Sequence, residues 1–213
     1  TSVSGSTGSR TQRYIARINS NGSFESTFVS GTSLFNNVVE TMAIQNDDKI
    51  VVGGRFTTFS GVSRNRICRL NSNGTLDTTF QVGTGISGGI VYTIKIQSDN
   101  KILVGGTFTN FNGVTKYGLL RLNSDGSLDN SFYTSDVIGP QNMTDIKILP
   151  DNKILVTGQD ISNWSGNTVG GIMILNTDGS LYENFGNQSQ TYFGFATGPT
   201  RSNYLTSLNQ YGK

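Results

Sequence analysis

From Val91 to Gln97 the chain alternates around Ile94 and Ile96, the two-residue period of a half-buried strand. Ser98-Asp99-Asn100 follows, a cluster of turn formers. Lys101 to Phe108 is then a β-rich run, apolar enough to be buried on both faces. A long polar connection, Thr109 to Thr115, leads to a third strand from Tyr117 to Leu122. Ser124-Asp125-Gly126 is a hairpin signal that tolerates positive φ, and Leu128 to Tyr133 reads as a fourth, shorter strand or edge segment. Four strands joined by turns predict one antiparallel meander.

The meander recurs. Lys49-Ile50-Val51-Val52-Gly53-Gly54 returns as Lys101-Ile102-Leu103-Val104-Gly105-Gly106 and as Lys153-Ile154-Leu155-Val156-Thr157-Gly158, in steps of 52 residues. Arg17-Ile18-Asn19, Arg69-Leu70-Asn71 and Arg121-Leu122-Asn123 keep the same step, and a fourth copy, Ile174-Leu175-Asn176, arrives one residue late. Periods of this size belong to propellers, solenoids and arrays. A single sheet cannot stand alone, and stacking several around an axis buries their faces. A sandwich needs no phrase repeated at this interval, and no stretch holds a helical apolar period, which excludes an α-solenoid. The expected fold is therefore all-β: a propeller of four repeats of about 52 residues, each a four-stranded antiparallel sheet, either complete or part of a larger ring.

The paired glycines at the end of each second strand predict a bulge or a close approach between neighbouring sheets. Phe28, Phe80, Phe132 and Phe185 step by 52, 52 and 53, as core between sheets would. The expected organisation is a flexible leader or cut end at residues 1–12, repeats over 13–186, and a degenerate last repeat at 187–213. That final stretch keeps Tyr192, Phe193, Phe195, Tyr204, Leu205 and Tyr211, too aromatic for a disordered tail. It is expected either to close the ring against the N-terminal strands or to dock on another subunit.

Composition narrows the function classes. The chain has 213 residues, 16 basic and 14 acidic, for a net charge of +2. No electrostatic footprint for nucleic acid or an anionic membrane is present. Charged residues make up 14%, against roughly 25% in an average domain, so Ser, Thr, Asn and Gly carry solubility. No apolar run is long enough to span a bilayer as a helix. Cys68 is the single cysteine; it excludes an intramolecular disulfide and reads as a small core residue. There is no histidine, so nucleophilic chemistry lacks its usual partner.

The phrases Asp99 to Phe108 and Arg121 to Phe132, with copies at Asp47 to Phe56 and Arg69 to Phe80, resemble the delta-60 repeat family of β-propellers. The resemblance covers about residues 13 to 186. It implies a propeller of extracellular bacterial proteins and of phage structural proteins, with no catalytic residues and no cofactor to carry over. The last unit departs from the pattern at Thr157, at Gln159-Asp160 and after Phe185.

Few residues suggest chemistry. Asn123 to Asp129 has part of a calcium loop but lacks its acidic ladder and distal Glu, so a hairpin turn is the reading and no metal is expected. Carboxylate catalysis would need a pair, and only Asp145 and Asp160 break the repeat in a way worth naming. The likeliest binding surface is the long connections, since rigid scaffolds carry function on loops. Its candidate residues are Arg55, Phe59, Phe111, Trp164 and Asp160. An aromatic beside Asn and Ser could stack on a sugar ring; capping the blade core or meeting a partner chain is the favoured alternative. The expectation is a non-enzymatic structural or attachment module at a virion or bacterial surface. Its partners would be other protein subunits or a cell-surface glycan, with no nucleic acid and no membrane insertion. A lectin and a carboxylate-dependent carbohydrate-active enzyme are the competing classes.

Overall fold

The apolar runs become strands where their periods predict them. The computed structural model describes residues 3–5, 8–10, 15–28, 35–133, 141–159, 161, 163–164, 167–168 and 171–182, and every regular element among them is a strand. β1 (Val3–Gly5) and β2 (Gly8–Arg10) pair as a hairpin, where composition alone predicts a flexible leader. The first full repeat has β3 (Val39–Ile44), β4 (Ile50–Gly54), β5 (Thr58–Phe59), β6 (Val62–Ser63) and β7 (Ile67–Leu70). The second has β8 (Ile86–Ser87), β9 (Val91–Ile96), β10 (Ile102–Gly106), β11 (Asn110–Phe111), β12 (Val114–Thr115) and β13 (Leu119–Leu122). The third has β14 (Asn142–Ile148), β15 (Ile154–Gln159), β16 (Asn163–Trp164), β17 (Asn167–Thr168) and β18 (Ile172–Leu175).

Each repeat builds one three-stranded antiparallel sheet: β3-β4-β7, β9-β10-β13 and β14-β15-β18. The register repeats with the sequence. Ile50 lies between Ile44 and Leu70, Ile102 between Ile96 and Leu122, and Ile154 between Ile148 and Leu175. Middle strands β4 and β10 are buried along their whole length, each with a paired strand at both edges. Their alternation splits the core. Val51 packs with Val91, Ile94 and Ile102 of the following sheet, while Val52 packs with Phe56, Phe59 and Cys68 of its own repeat. Leu103 does for the third sheet what Val51 does for the second, joining Met143, Ile146 and Ile154.

Two differences from the pattern-based expectation have local causes. The fourth strand shrinks to one bridge per repeat: Ile18 to Phe24, Leu70 to Leu76, Leu122 to Leu128 and Leu175 to Leu181. The carboxylates of Asp77 and Asp129, just beyond two of these bridges, accept from the N–H of Thr79 and Ser131, so local bonding replaces the ladder. The long connections fold into hairpins, β5-β6, β11-β12 and β16-β17, and β8 adds to the second of them. Strands of two residues are too short for a period to reveal them.

Both readings of the glycine pair hold, one for each glycine. A Cβ on Gly53 would lie 2.5 Å from Val91 Cγ1 and 2.8 Å from Ile94 Cδ1, on the next sheet. The second glycine sits at a bulge: the β9–β10 register shifts between Gly105 and Gly106, and a Cβ on Gly106 would overlap the Ile90 carbonyl oxygen.

Candidate functional site

The repeated arginine is the most polar feature of the buried interior. Arg69 on β7 and Arg121 on β13 project beside the next sheet and are buried. Arg69 Nε donates to Asp77 Oδ2 at 2.8 Å, and Arg121 Nε to Asp129 Oδ2 at 2.7 Å. Lys49 and Lys101 approach the same carboxylates at 3.2 and 3.0 Å. Each guanidinium lies over a phenylalanine, Arg69 over Phe80 and Arg121 over Phe132, both 4.6 Å from the ring centroid. Nη1 then crosses to the following repeat, where Arg69 donates to the Ser124 carbonyl and Arg121 to that of Thr177. Arg17 repeats the scheme at the surface, with Glu25, Phe28 and the Ser72 carbonyl.

The phenylalanines complete this latch. Phe80 lies against the turn of the next repeat, where a Cβ on Gly126 would come within 2.6 Å of its ring, and Phe132 lies likewise against Gly179 at 2.9 Å. Backbone bonds run beside them, from Gln81 N to Asp125 O at 2.8 Å and from Tyr133 N to Asp178 O at 2.7 Å. Burial pushes the Asp77 carboxyl up, but bonds from Thr79, Lys49 and Arg69 outweigh it and hold the group well below the usual carboxylate range. Asp129 is held down in the same way by Ser131, Lys101 and Arg121. Carboxylates so firmly ionised cannot serve as proton donors at neutral pH. The fourth repeat replaces both partners, with Ile174 for the arginine and Tyr182 for the aspartate, and Lys153 Nζ sits 4.5 Å from the Tyr182 ring centroid.

The first strands of the three sheets line a groove of about 530 Å³, with Met42, Ile44, Lys95, Asp145, Lys147 and Ile148 among its walls. Asp145 takes the place of Thr41 and Thr93. It accepts from Thr93 Oγ1 at 3.3 Å and from its neighbour's amide, Ile146 N, at 2.8 Å, with Lys95 Nζ 3.8 Å away. Sequence reasoning singles out Asp145 but misses the groove; its signal is the lysine series Lys95, Lys147 at the place of Ala43. No group of three or more acidic or thiol side chains that could hold a metal occurs among the described residues. Burial pushes the Cys68 thiol up, as its core position requires.

The loop aromatics are not on the surface. Phe59, Phe111 and Trp164 are all buried, and each joins the core of its own repeat. Phe59 packs 4.8 Å from Phe35, ring centroid to centroid. The reason is the unforeseen hairpin, whose first strand turns its aromatic into the core. Ring faces so enclosed are closed to a sugar. Arg55 is half-buried, its Nε donating to Glu40 Oε1 at 2.6 Å. Asp160 lies outside the described residues. The hairpin tips instead expose Val62 and Val114, at matching positions one period apart.

Comparison with known proteins follows the same register. The model of a family described as a domain of unknown function (DUF5122) beta-propeller matches residues 3–28, 45–80, 97–132 and 149–182. No curated protein matches the chain. Two of the four matches run from the turn before the middle strand to the latch phenylalanine, Phe80 or Phe132. Together the four matches cover more than half of the sequence, and the chain belongs to the DUF5122 beta-propeller family.

Proposed function

We propose that this propeller is a non-enzymatic structural or attachment module at an extracellular or virion surface, in a phage tail or virion or in a bacterial surface protein. One observation carries the reading: the four buried charged residues among those described, Arg69, Asp77, Arg121 and Asp129, are paired with one another, and both arginines also reach a carbonyl of the following repeat. Buried charge held in cohesion is unavailable for acid–base work. The exposed valines at the hairpin tips favour protein partners, since apolar side chains with nearby backbone edges suit subunit contacts. The delta-60 resemblance of the Lys-Ile-Leu-Val-Gly-Gly and Arg-Leu-Asn phrases supports the extracellular and phage context. With Phe59, Phe111 and Trp164 enclosed, a glycan partner has less support than a protein subunit.

The test has two arms. The purified chain is incubated with a panel of polysaccharides and applied to a glycan array, and its gene neighbourhood is read. The expected result is no turnover, no array signal, and neighbouring genes for tail or secretion proteins. Turnover that disappears in Asp145→Asn would make it a carbohydrate-active enzyme. Specific array binding would make it a lectin.

A further inference from the structure

The chain has three Asn-Gly pairs, Asn21-Gly22, Asn73-Gly74 and Asn112-Gly113. An asparagine before glycine is open to attack on its own side chain, because glycine has no Cβ to keep its nitrogen from the neighbouring amide carbon. The three pairs sit in different surroundings. Asn73 is exposed in the turn after β7. The Thr75 amide and hydroxyl donate to its Oδ1 at 3.1 and 2.7 Å. These bonds hold the side-chain carbonyl over its own turn and draw electron density from Cγ. Asn21 makes the same two bonds with Ser23, at 3.0 and 2.7 Å. Asn112 is held away from its glycine. Its Oδ1 accepts from Thr84 N, 28 residues back, and its side chain lies against Gly83, where an added Cβ would overlap it. The Gly113 amide is taken by Asn110 Oδ1 at 2.9 Å.

Later copies of the turn already carry an aspartate at this position. Asp125 and Asp178 accept from the amide and hydroxyl of Ser127 and Ser180, at 2.9 and 2.7 Å in both turns. Each also lies at a joint between repeats. Arg69 donates to the Ser124 carbonyl, immediately before Asp125, and Arg121 to that of Thr177, immediately before Asp178. Bonds from Ser127 and the charge of Arg69 hold the Asp125 carboxyl below the usual carboxylate range, and Ser180 and Arg121 do the same for Asp178. In the first joint Arg17 donates to the Ser72 carbonyl, immediately before Asn73. A carboxylate at residue 73 would meet Arg17 as Asp125 meets Arg69.

We propose that Asn73 is a site of self-modification, deamidating to an aspartate that completes the joint between the first two repeats. The Gly74 nitrogen loses its proton to base in the solvent and bonds to Asn73 Cγ. The Cγ–Nδ2 bond breaks, and Nδ2 leaves as ammonia. Water then adds at Cγ of the cyclic imide, the bond from Cγ to the Gly74 nitrogen breaks, and that nitrogen regains a proton. The sum is asparagine and water to aspartate and ammonia. Water attack at the main-chain carbonyl would instead give isoaspartate, whose extra backbone carbon does not fit this turn. Gly74 N donates to the Asn71 carbonyl at 2.8 Å, so each attack waits on an opening of the turn, and conversion is slow.

Peptide mapping by mass spectrometry tests this in the full chain, fresh and after storage at mildly alkaline pH. The mass increase of amide-to-carboxylate conversion is expected at Asn73 and Asn21, at least about tenfold faster than at Asn112. No conversion at Asn73, or equal conversion at all three, would overturn the proposal. Isoaspartate as the chief product at residue 73 would also overturn it. Asn73→Asp reads the consequence directly. It should raise the melting temperature by about 1–3 °C, the effect of a partly exposed ion pair in a domain of this size. The gain should vanish when Arg17→Ile is present in both chains compared. An unchanged or lower melting temperature, or a gain that survives Arg17→Ile, would refute the completed joint.

Discussion

Arg121→Ile should be among the more damaging single substitutions in this protein, and adding Asp129→Tyr should recover part of the loss. The single change removes a guanidinium bonded at 2.7 Å to Asp129, with both side chains nearly buried, 6% and 7% exposed. It also strands the Thr177 carbonyl and uncovers Phe132. Breaking one side of a buried pair costs about 3–5 kcal/mol, and the lower end applies because Lys101 Nζ stays 3.0 Å from the carboxylate. About 3 kcal/mol corresponds to a fall of roughly 6–12 °C in Tm for a domain of this size. The double variant reproduces the Ile174 and Tyr182 arrangement of the fourth repeat, which leaves no carboxylate buried without its arginine. Arg17→Ile is the matched control. Its pair with Glu25 is 41% and 28% exposed, so solvent screening leaves a much smaller effect. Thermal unfolding followed by circular dichroism, with a urea series on each variant, supplies the comparison. Equal losses from Arg17→Ile and Arg121→Ile, or a double variant as unstable as the two singles summed, would refute the latch.

Other consequences can be measured alongside. Gly105→Ala should cost about 1–3 kcal/mol in urea unfolding, because its Cβ would meet Thr93 Cγ2 at 2.7 Å and Ile146 Cδ1 at 3.0 Å. Phe111→Ala and Trp164→Ala should each cost roughly 3–5 kcal/mol as core truncations; a loss of glycan binding with stability unchanged would contradict the inward packing. The carboxyls of Asp77 and Asp129 are depressed in the folded state. Their stabilisation is therefore complete above the unfolded value near 4 and is lost as pH falls below it. Melting temperature should drop steeply on acidification below about pH 4, and Asp129→Asn should flatten that drop while lowering stability at neutral pH.

Much of this architecture can be read from spacing alone. The 52-residue return of Lys-Ile-Leu-Val-Gly-Gly places every middle strand, and Phe80 and Phe132 fall in the core between repeats as their period implies. The arginine is equally periodic, but its role is not legible. Its carboxylate lies eight residues on in the same repeat, while its carbonyl acceptor lies 55 or 56 residues away in the next. Only the stacking of sheets brings those together. Phe59, Phe111 and Trp164 sit among Asn, Ser and Gly, so the sequence leaves both a ligand-facing place and a core-capping one open, and burial decides for the core. Local polarity does not decide there, because two-residue strands alternate too briefly to show which side faces in. The groove escapes sequence reading for a related reason: three strands line it, and each contributes only a few residues.

The central claim is that successive repeats are joined face to face through their glycine and arginine positions. Nuclear Overhauser contacts between the Ile94 δ1 methyl and the Gly53 α protons, and between the Ile146 δ1 methyl and the Gly105 α protons, test it most directly. Both contacts are predicted, since an added Cβ on either glycine would lie within 3.0 Å of that methyl carbon. Strong contacts within each sheet with neither of these between sheets would contradict the account.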